Sequence, residues 1–448
     1  MRQANCPGLL DSVLVKTIPM HGRMIHGQSN GQHWEESQSY DVHGRFIRAV
    51  DRSSLNKLLL DELSKMPHVR FFFNHRLTGA DFRKKRAWFE VRESQRTDHA
   101  QNPTQEEPSN ARAKEVEVSF DFMIGADGAH SAVRFHLMKF ARVSYQQEYI
   151  STLWCEFRIP PKKTPTGSDF AISSDHLHIW PAGSFMFIAI PSLDKSFTST
   201  LFIPASHFED LDTHPEKLVP YFQEHFPGVV PDLIPENELK KQYKENPHLP
   251  LISIKCTPYH YTSSAVILGD AAHAMVPFYG QGMNAGLEDV RVLYEHLDAH
   301  TPQVLSSNSA RTQARAAALQ TYTAERHPDA SAINDLALRN YREMSHDVSS
   351  PLYLLRKRIE ETLNDRFPSL GWATQYSRIS FGNERYSEVQ RLADWQGKIL
   401  TWVLRVLPVL AVGLGVGVWG VWRRQKGSVP LVSRSLAWFS DLIKRERI

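Results

Sequence analysis

Residues 263–290 read SSAVILGDAAHAMVPFYGQGMNAGLEDV. Ala265 to Leu268 form an apolar run of strand length, Gly269 and Asp270 end it, and a loop with Pro277 and Gly280 leads into a helix from about Gly282. Asp270 is therefore placed to accept a sugar hydroxyl, and the amides at Gly282, Met283 and Asn284 can face negative charge at a helix N-terminus. Residues 120–134, FDFMIGADGAHSAVR, repeat the plan: Phe120 to Ile124 predict a strand, Gly125 and Gly128 a tight turn, and Asp127 sits where a helix begins. Such junctions bring backbone amides and a positive helix end to a phosphate or ribose. A lone Gly-Asp at a strand end is often only a turn; two strand-to-helix junctions in this order predict an α/β nucleotide-binding fold.

The rest of the composition narrows the class. The 448 residues hold 52 basic against 49 acidic side chains, and the basic ones are scattered, so no nucleic-acid partner is expected. Cys6, Cys155 and Cys256 are far apart, with no CxxC and no paired histidine spacing, which predicts neither a disulfide framework nor a metal site. Ser53 or Ser54 predicts the cap of a helix to about Lys65, and HVRFFFNHRL (68–77) then reads as a buried strand. Residues 93–114 offer little to bury and read as a solvated loop. STLWCEFRI, HLHIW, FMFIAI and SFTSTLFI predict a mixed or antiparallel sheet over 151–205, and helices interrupted at Pro328, Pro351 and Pro368 fill 310–391. Val406 to Trp422 is uncharged, with Arg405 before it and Arg423, Arg424 and Lys426 after it. It reads as a membrane segment at the short end of the spanning range, the alternatives being a docked or an interfacial hydrophobic helix.

Taken together, the two junctions resemble the paired motifs of the flavoprotein aromatic hydroxylases. IPMHGRMIH, HLHIWP, KSFTSTLF, HAMVPFYGQGMNAG and LALRNYREM are similar, within that group, to the kynurenine 3-monooxygenase family, from Ile18 to about Arg391. The resemblance implies FAD and NADPH as cofactors, with L-kynurenine and dioxygen as the reacting partners. It implies cofactor contacts at Arg52, Asp127, Gly128, Asp270, Pro277, Gly280, Gln281, Gly282, Met283 and Asn284. Arg23 and Tyr40 fall on positions that bind the substrate carboxylate, Ile188, Phe202 and Phe278 on an apolar wall, and Asn340, Glu343, Met344 and Tyr376 on the rest of the pocket. The chemistry agrees: a guanidinium fork suits a carboxylate, and Asn340, Glu343 and Met344 share a helix face. Without the resemblance, Arg23 reads as a surface arginine and the 340–343 stretch as a solvated stripe. The substrate's own aromatic amine activates the ring, so no catalytic base is named.

The fold class is accordingly α/β: an incomplete Rossmann-type FAD-binding domain with an inserted mixed sheet over the substrate, a helical C-terminal part and a membrane segment. The divisions expected are 1–150 and 251–300 for the FAD-binding domain, 151–250 for the sheet, 301–398 for the helices, 399–422 for the membrane segment and 423–448 for a basic tail. The family also implies anchoring in the mitochondrial outer membrane. One part of its pattern is not found, the opening strand with a GxGxxG turn that holds adenosine. Gly415, Gly417 and Gly420 match by letter only, inside the apolar run, and no strand leads into Gly280, Gly282 and Ala285. The expectation is a chain that starts after that unit and binds FAD weakly. Two other readings stay open: another flavin-dependent aromatic hydroxylase, and an inactive membrane-anchored remnant.

Overall fold

The computed structural model describes residues 8–40, 43–92, 114–162, 169–300, 307–346, 351–402 and 419. The chain divides into two compact units, Met1–Gln390 and Arg391–Ile448. In the second, residues 391–402 are helical. The strands are β1 (Thr17–Met20), β2 (Gly22–Ser29), β3 (Gln32–Ser39), β4 (Ile47–Val50), β5 (His75–Asp81), β6 (Arg86–Val91), β7 (Lys114–Ser119), β8 (Met123–Gly125), β9 (Ser144–Ile159), β10 (His176–Pro181), β11 (Met186–Pro191), β12 (Phe197–Pro204), β13 (Leu249–Thr257), β14 (His260–Tyr261) and β15 (Ala265–Ile267). The helices are α1 (Leu9–Leu14), α2 (Arg52–Ser64), α3 (Ala132–Leu137), α4 (Ala205–Thr213), α5 (Leu218–His225), α6 (Glu236–Glu245), α7 (Asp270–His273), α8 (Gly282–His300), α9 (Asn308–His346), α10 (Pro351–Arg366) and α11 (Gln375–Phe381).

Seven strands form the main sheet in the order β13-β9-β12-β11-β10-β2-β3, all antiparallel except the parallel β10–β2 pair. It draws on the N-terminal hairpin β2–β3 as well as on the strand-rich region that the sequence predicts. Side chains alternate across it as the pleat requires. Trp180, Phe187 and Leu201 pack with α4, α5 and α6 through Phe208, Phe222 and Leu239. Their neighbours Ile179, Met186 and Phe202 face the other way, onto Ile333, Leu336 and Ala337 of α9. The sheet is thus buried on both faces.

The two junctions lie side by side. β15 and β8 are parallel, with Val266 opposite Ile124, and β14 completes a three-stranded sheet. Gly125 is required by packing: a Cβ there would come within 2.7 Å of Val133 on α3 and 3.0 Å of Ile267 on β15. Beneath them Ala265, Val266, Ile267, Ala271, Val292 and Leu319 make one core.

Three local expectations are corrected. The cap of α2 is Asp51, whose carboxylate accepts from the Ser54 amide, because the residue with extended backbone precedes the serines. Residues 69–74 form no strand: Phe72 and Phe73 are 69% and 64% exposed, and among the described residues no neighbouring strand pairs with them. α9 runs through Pro328 for 39 residues, roughly 58 Å. The proline deprives one carbonyl of its amide, and the neighbouring carbonyl of Glu325 accepts from Arg385 at 2.7 Å, so the disturbed turn is held from outside. Pro351 and Pro368 do begin new elements, α10 and the 3-10 turn Pro368–Leu370. The solvated loop expected at 93–114 falls, but for Lys114, outside the described residues.

No helix of the described residues is long and apolar enough to cross a membrane. Apart from Trp419, the run from Val406 to Trp422 lies outside the described residues.

Candidate active site

The loop from β15 to α8 is built on a buried charge cluster. Gly269 adopts φ 58° and ψ −143°, and its amide donates to Asp289 Oδ2 of α8 at 2.8 Å. His273 Nε2 lies 2.6 Å from the same oxygen, and Arg326 Nε of α9 donates to Asp289 Oδ1 at 2.9 Å. Burial would raise the Asp289 carboxyl, but His273 and Arg326, with the Gly269 amide, hold it below the usual carboxylate range. With both ends of the loop fixed, Asp270 is left exposed, Pro277–Tyr279 form a 3-10 turn and Gly280 takes the left-handed conformation at φ 67°. Gln281 is buried, while Met283 and Asn284 at the start of the nineteen-residue α8 are exposed. The start of a long helix at Gly282, twelve residues beyond the exposed Asp270, can receive an anion or a sugar hydroxyl.

At the other junction Asp127 closes its own turn. Its carboxylate accepts from Ser131 Oγ and, at 3.0 Å, from the Val133 amide, and so supports the cap of α3, which is Ser131 accepting from the Arg134 amide at 2.9 Å. Gly128, next in line, has φ 80°. Arg134 ties the junctions together, donating to the Ala129 and Ala271 carbonyls at 2.6 and 2.7 Å. A cavity of about 700 Å³ opens beside α3, lined by Arg76, Thr78, Glu90, His130, Arg134 and Tyr145. Arg52 is exposed at the first position of α2 and makes no part of either junction.

Most of the residues assigned to the pocket converge beside the Pro277–Gln281 loop. Arg23 of β2 is buried, with its guanidinium carbon 4.6 Å from the Tyr376 ring centre and 5.9 Å from that of Tyr40. The two rings stack at 5.1 Å, and Tyr279 also stacks with Tyr376, at 5.8 Å. Burial raises the phenol of Tyr40 well above its ordinary value and that of Tyr376 in the same direction, Arg23 opposing both. Next to this stack Ile188, Phe202, Phe278 and Met344 share one apolar cluster with Tyr376. The rings of Phe202 and Phe278 are 4.9 Å apart. Asn340 serves the wall rather than presenting its amide as a free end: Nδ2 donates to the Phe278 carbonyl at 2.7 Å. Glu343 lies on α9, but its side chain is outside the described residues.

Sequence reading missed the Asp289, His273 and Arg326 cluster. A signal for it exists, since Asp289 falls on the α8 face that buries Ala285, Val292 and Leu293, and a carboxylate on an apolar face needs a partner.

A family profile described as FAD binding domain matches residues 1–337. The kynurenine 3-monooxygenase of Neosartorya fischeri is 58% identical over 432 residues, covering 96% of this chain and 82% of that protein. The chain belongs to the kynurenine 3-monooxygenase family. The family's enzymes from Aspergillus fumigatus and Neurospora crassa are 57% and 56% identical, covering 98% and 96% of this chain and 83% of each relative. Solved structures at lower identity share the fold of this family. The tetrameric form of 2-methyl-3-hydroxypyridine-5-carboxylic acid oxygenase is 18% identical with a TM-score of 0.53, over 82% of this chain and 84% of that one. Tetracycline destructase Tet(55) is 15% identical with a TM-score of 0.52, over 84% and 83%.

Proposed function

We propose that this chain hydroxylates L-kynurenine to 3-hydroxykynurenine with FAD, NADPH and dioxygen, a step of tryptophan degradation toward NAD. The observation that carries it is Arg23, buried against Tyr40 and Tyr376 at the edge of the Phe202–Phe278 wall and beside the Pro277–Gln281 loop. The loop fits a flavin. Gly269 and Gly280 have open space where a Cβ would stand, Asp270 offers an exposed carboxylate for a sugar hydroxyl, and the amides of Gly282 to Asn284 begin a long helix. FAD, when bound there, supplies the electron transfer and oxygen activation that no side chain can. The protein binds, orients and excludes water. Arg23 takes the amino-acid carboxylate in a charge-assisted pair, and Ile188, Phe202, Phe278 and Met344 keep the ring dry. The aromatic amine of kynurenine activates its own ring, so no side chain acts as a base.

The cavity beside α3, with Arg76, His130 and Arg134 around a single acid, Glu90, supports docking of the NADPH phosphates next to the Asp127 turn. The uncharged run from Val406 to Trp422 and its cationic flanks support anchoring in the mitochondrial outer membrane. The reading is tested by NADPH oxidation with kynurenine and with kynuramine, which keeps the ring and its amine but lacks the carboxylate. Kynurenine should stimulate oxidation and kynuramine should need a far higher concentration. Equal half-saturation by the two would refute the Arg23 site.

A further inference from the structure

The residues just before the end of the first unit reach back to the flavin loop by two routes. Tyr386, 8% exposed, places its hydroxyl 3.3 Å from Gln281 Oε1, which also accepts from Asn284 Nδ2 at 3.0 Å. Two donors on one oxygen decide which end of the Gln281 amide is carbonyl, and leave Nε2 as the end with no protein partner among the described hydrogen bonds. On either side of Tyr386 the chain is tied elsewhere. Arg385 Nε donates to Asp329 Oδ2 at 3.0 Å, and the Ser387 amide to Asp329 Oδ1 at 3.2 Å. Asp329 itself is buried and lies one turn of α9 from Arg326. Val389, fully buried, packs into the same apolar cluster as Phe278 and Tyr279. The tyrosine is therefore held from both sides, and among the described residues its hydroxyl's one hydrogen bond is to the loop.

We propose that Tyr386 is a positioning residue for the flavin loop, fixing the Gln281 carboxamide so that its Nε2 is the donor presented on the cofactor side. The proposal rests on the reading of 277–284 as the flavin loop. Burial raises the phenol of Tyr386, so it stays protonated, and a donor, across the working pH range.

The test is FAD titration of the full chain in detergent, following the visible spectrum of the bound flavin, for the unaltered protein, Tyr386→Phe and Ser387→Ala. Losing one neutral hydrogen bond should weaken FAD binding about fivefold in Tyr386→Phe and shift the flavin bands, with the melting temperature within about 2 °C. Ser387→Ala removes the hydrogen bond that Ser387 Oγ donates to Asp329 Oδ1 at 2.5 Å, and should lower the melting temperature while leaving FAD affinity and spectrum unchanged. An unchanged Kd and spectrum in Tyr386→Phe overturns the proposal, as does an equal loss of FAD affinity in Ser387→Ala, which would mean general loosening. No flavin uptake by the unaltered chain overturns the flavin reading and the proposal with it.

Discussion

Arg23 is a buried guanidinium whose carbon lies 4.6 Å from the Tyr376 ring centre and 5.9 Å from that of Tyr40, two phenols whose proton affinity burial raises. An amino-acid substrate brings a carboxylate, which a guanidinium fork takes in a charge-assisted pair. Arg23→Ala should therefore raise the KM for kynurenine by about thirtyfold or more, the lower end of roughly 2 to 5 kcal/mol for a charge-assisted pair, with the KM for NADPH little changed. Equal shifts in both would mean that Arg23 supports the fold instead. Asn340 predicts the opposite kind of effect. Asn340→Leu leaves the Phe278 carbonyl unpaired and should cost about 1 to 3 kcal/mol in urea unfolding. An unchanged midpoint would show that this bond contributes nothing. The grouping of Arg23, Tyr40 and Tyr376 was legible because motif resemblance aligns residues far apart in the chain that the fold brings together. The Asn340 contact was not, because spacing identifies a helix face and not which group across the interface an amide meets.

α8 and α9 hold the β15–α8 loop through a buried charge cluster as well as through apolar packing. Arg326 is 2% exposed among Asp289, Glu288 and Asp329, and although burial opposes its charge, Asp289 and Glu288 hold its pKa above the ordinary value. Removing one member of such a cluster strands the others. Arg326→Met should cost roughly 3 to 5 kcal/mol by urea unfolding, and Arg326→Met with Asp289→Leu should recover part of that loss. If the single variant loses less than about 1 kcal/mol, the cluster does not brace the loop. Pairing across elements is also where sequence reading fell short. Pro328 predicts a break, but Arg385, 57 residues further on, holds the carbonyl of Glu325. HVRFFFNHRL (68–77) predicts a buried strand, but only His75–Leu77 fall in one, β5, because a strand needs a neighbour, which sequence does not supply. The β15 and β8 junctions were readable because glycine, aspartate and a short apolar run specify them locally.

The main sheet gathers a further buried system on the face covered by α4, α5 and α6. His26 of β2 stacks on Trp180 at 4.0 Å, and its Nε2 is 2.8 Å from His178 Nδ1. Burial together with the neighbouring histidines pushes His26 down to about 3, and burial outweighs the Ser173 carbonyl bond to push His178 down to about 4. Above the ordinary value of 6.5 neither the folded nor the unfolded chain is protonated at these sites, and they leave stability unchanged. Below it the unfolded chain takes up protons that the folded one refuses, so stability falls as pH drops through 6 and 5, by up to about 2.7 kcal/mol per unit for the pair. Urea midpoints measured from pH 7 to 5 should show this, and His26→Gln should reduce the slope; an identical slope in the variant would place the effect elsewhere. The α/β class and the sheet over the pocket follow from patterning along the chain, whereas the joining of β2 to β10 through a parallel pair is a long-range choice that patterning leaves open. All these parts serve one reaction, and its product can be read directly. Incubated with FAD, NADPH, L-kynurenine and isotopically labelled dioxygen, the chain should yield 3-hydroxykynurenine carrying one labelled oxygen on the ring, detected by mass spectrometry. NADPH consumed in a kynurenine-dependent way with no labelled product, or label on another position of the ring, would contradict the account.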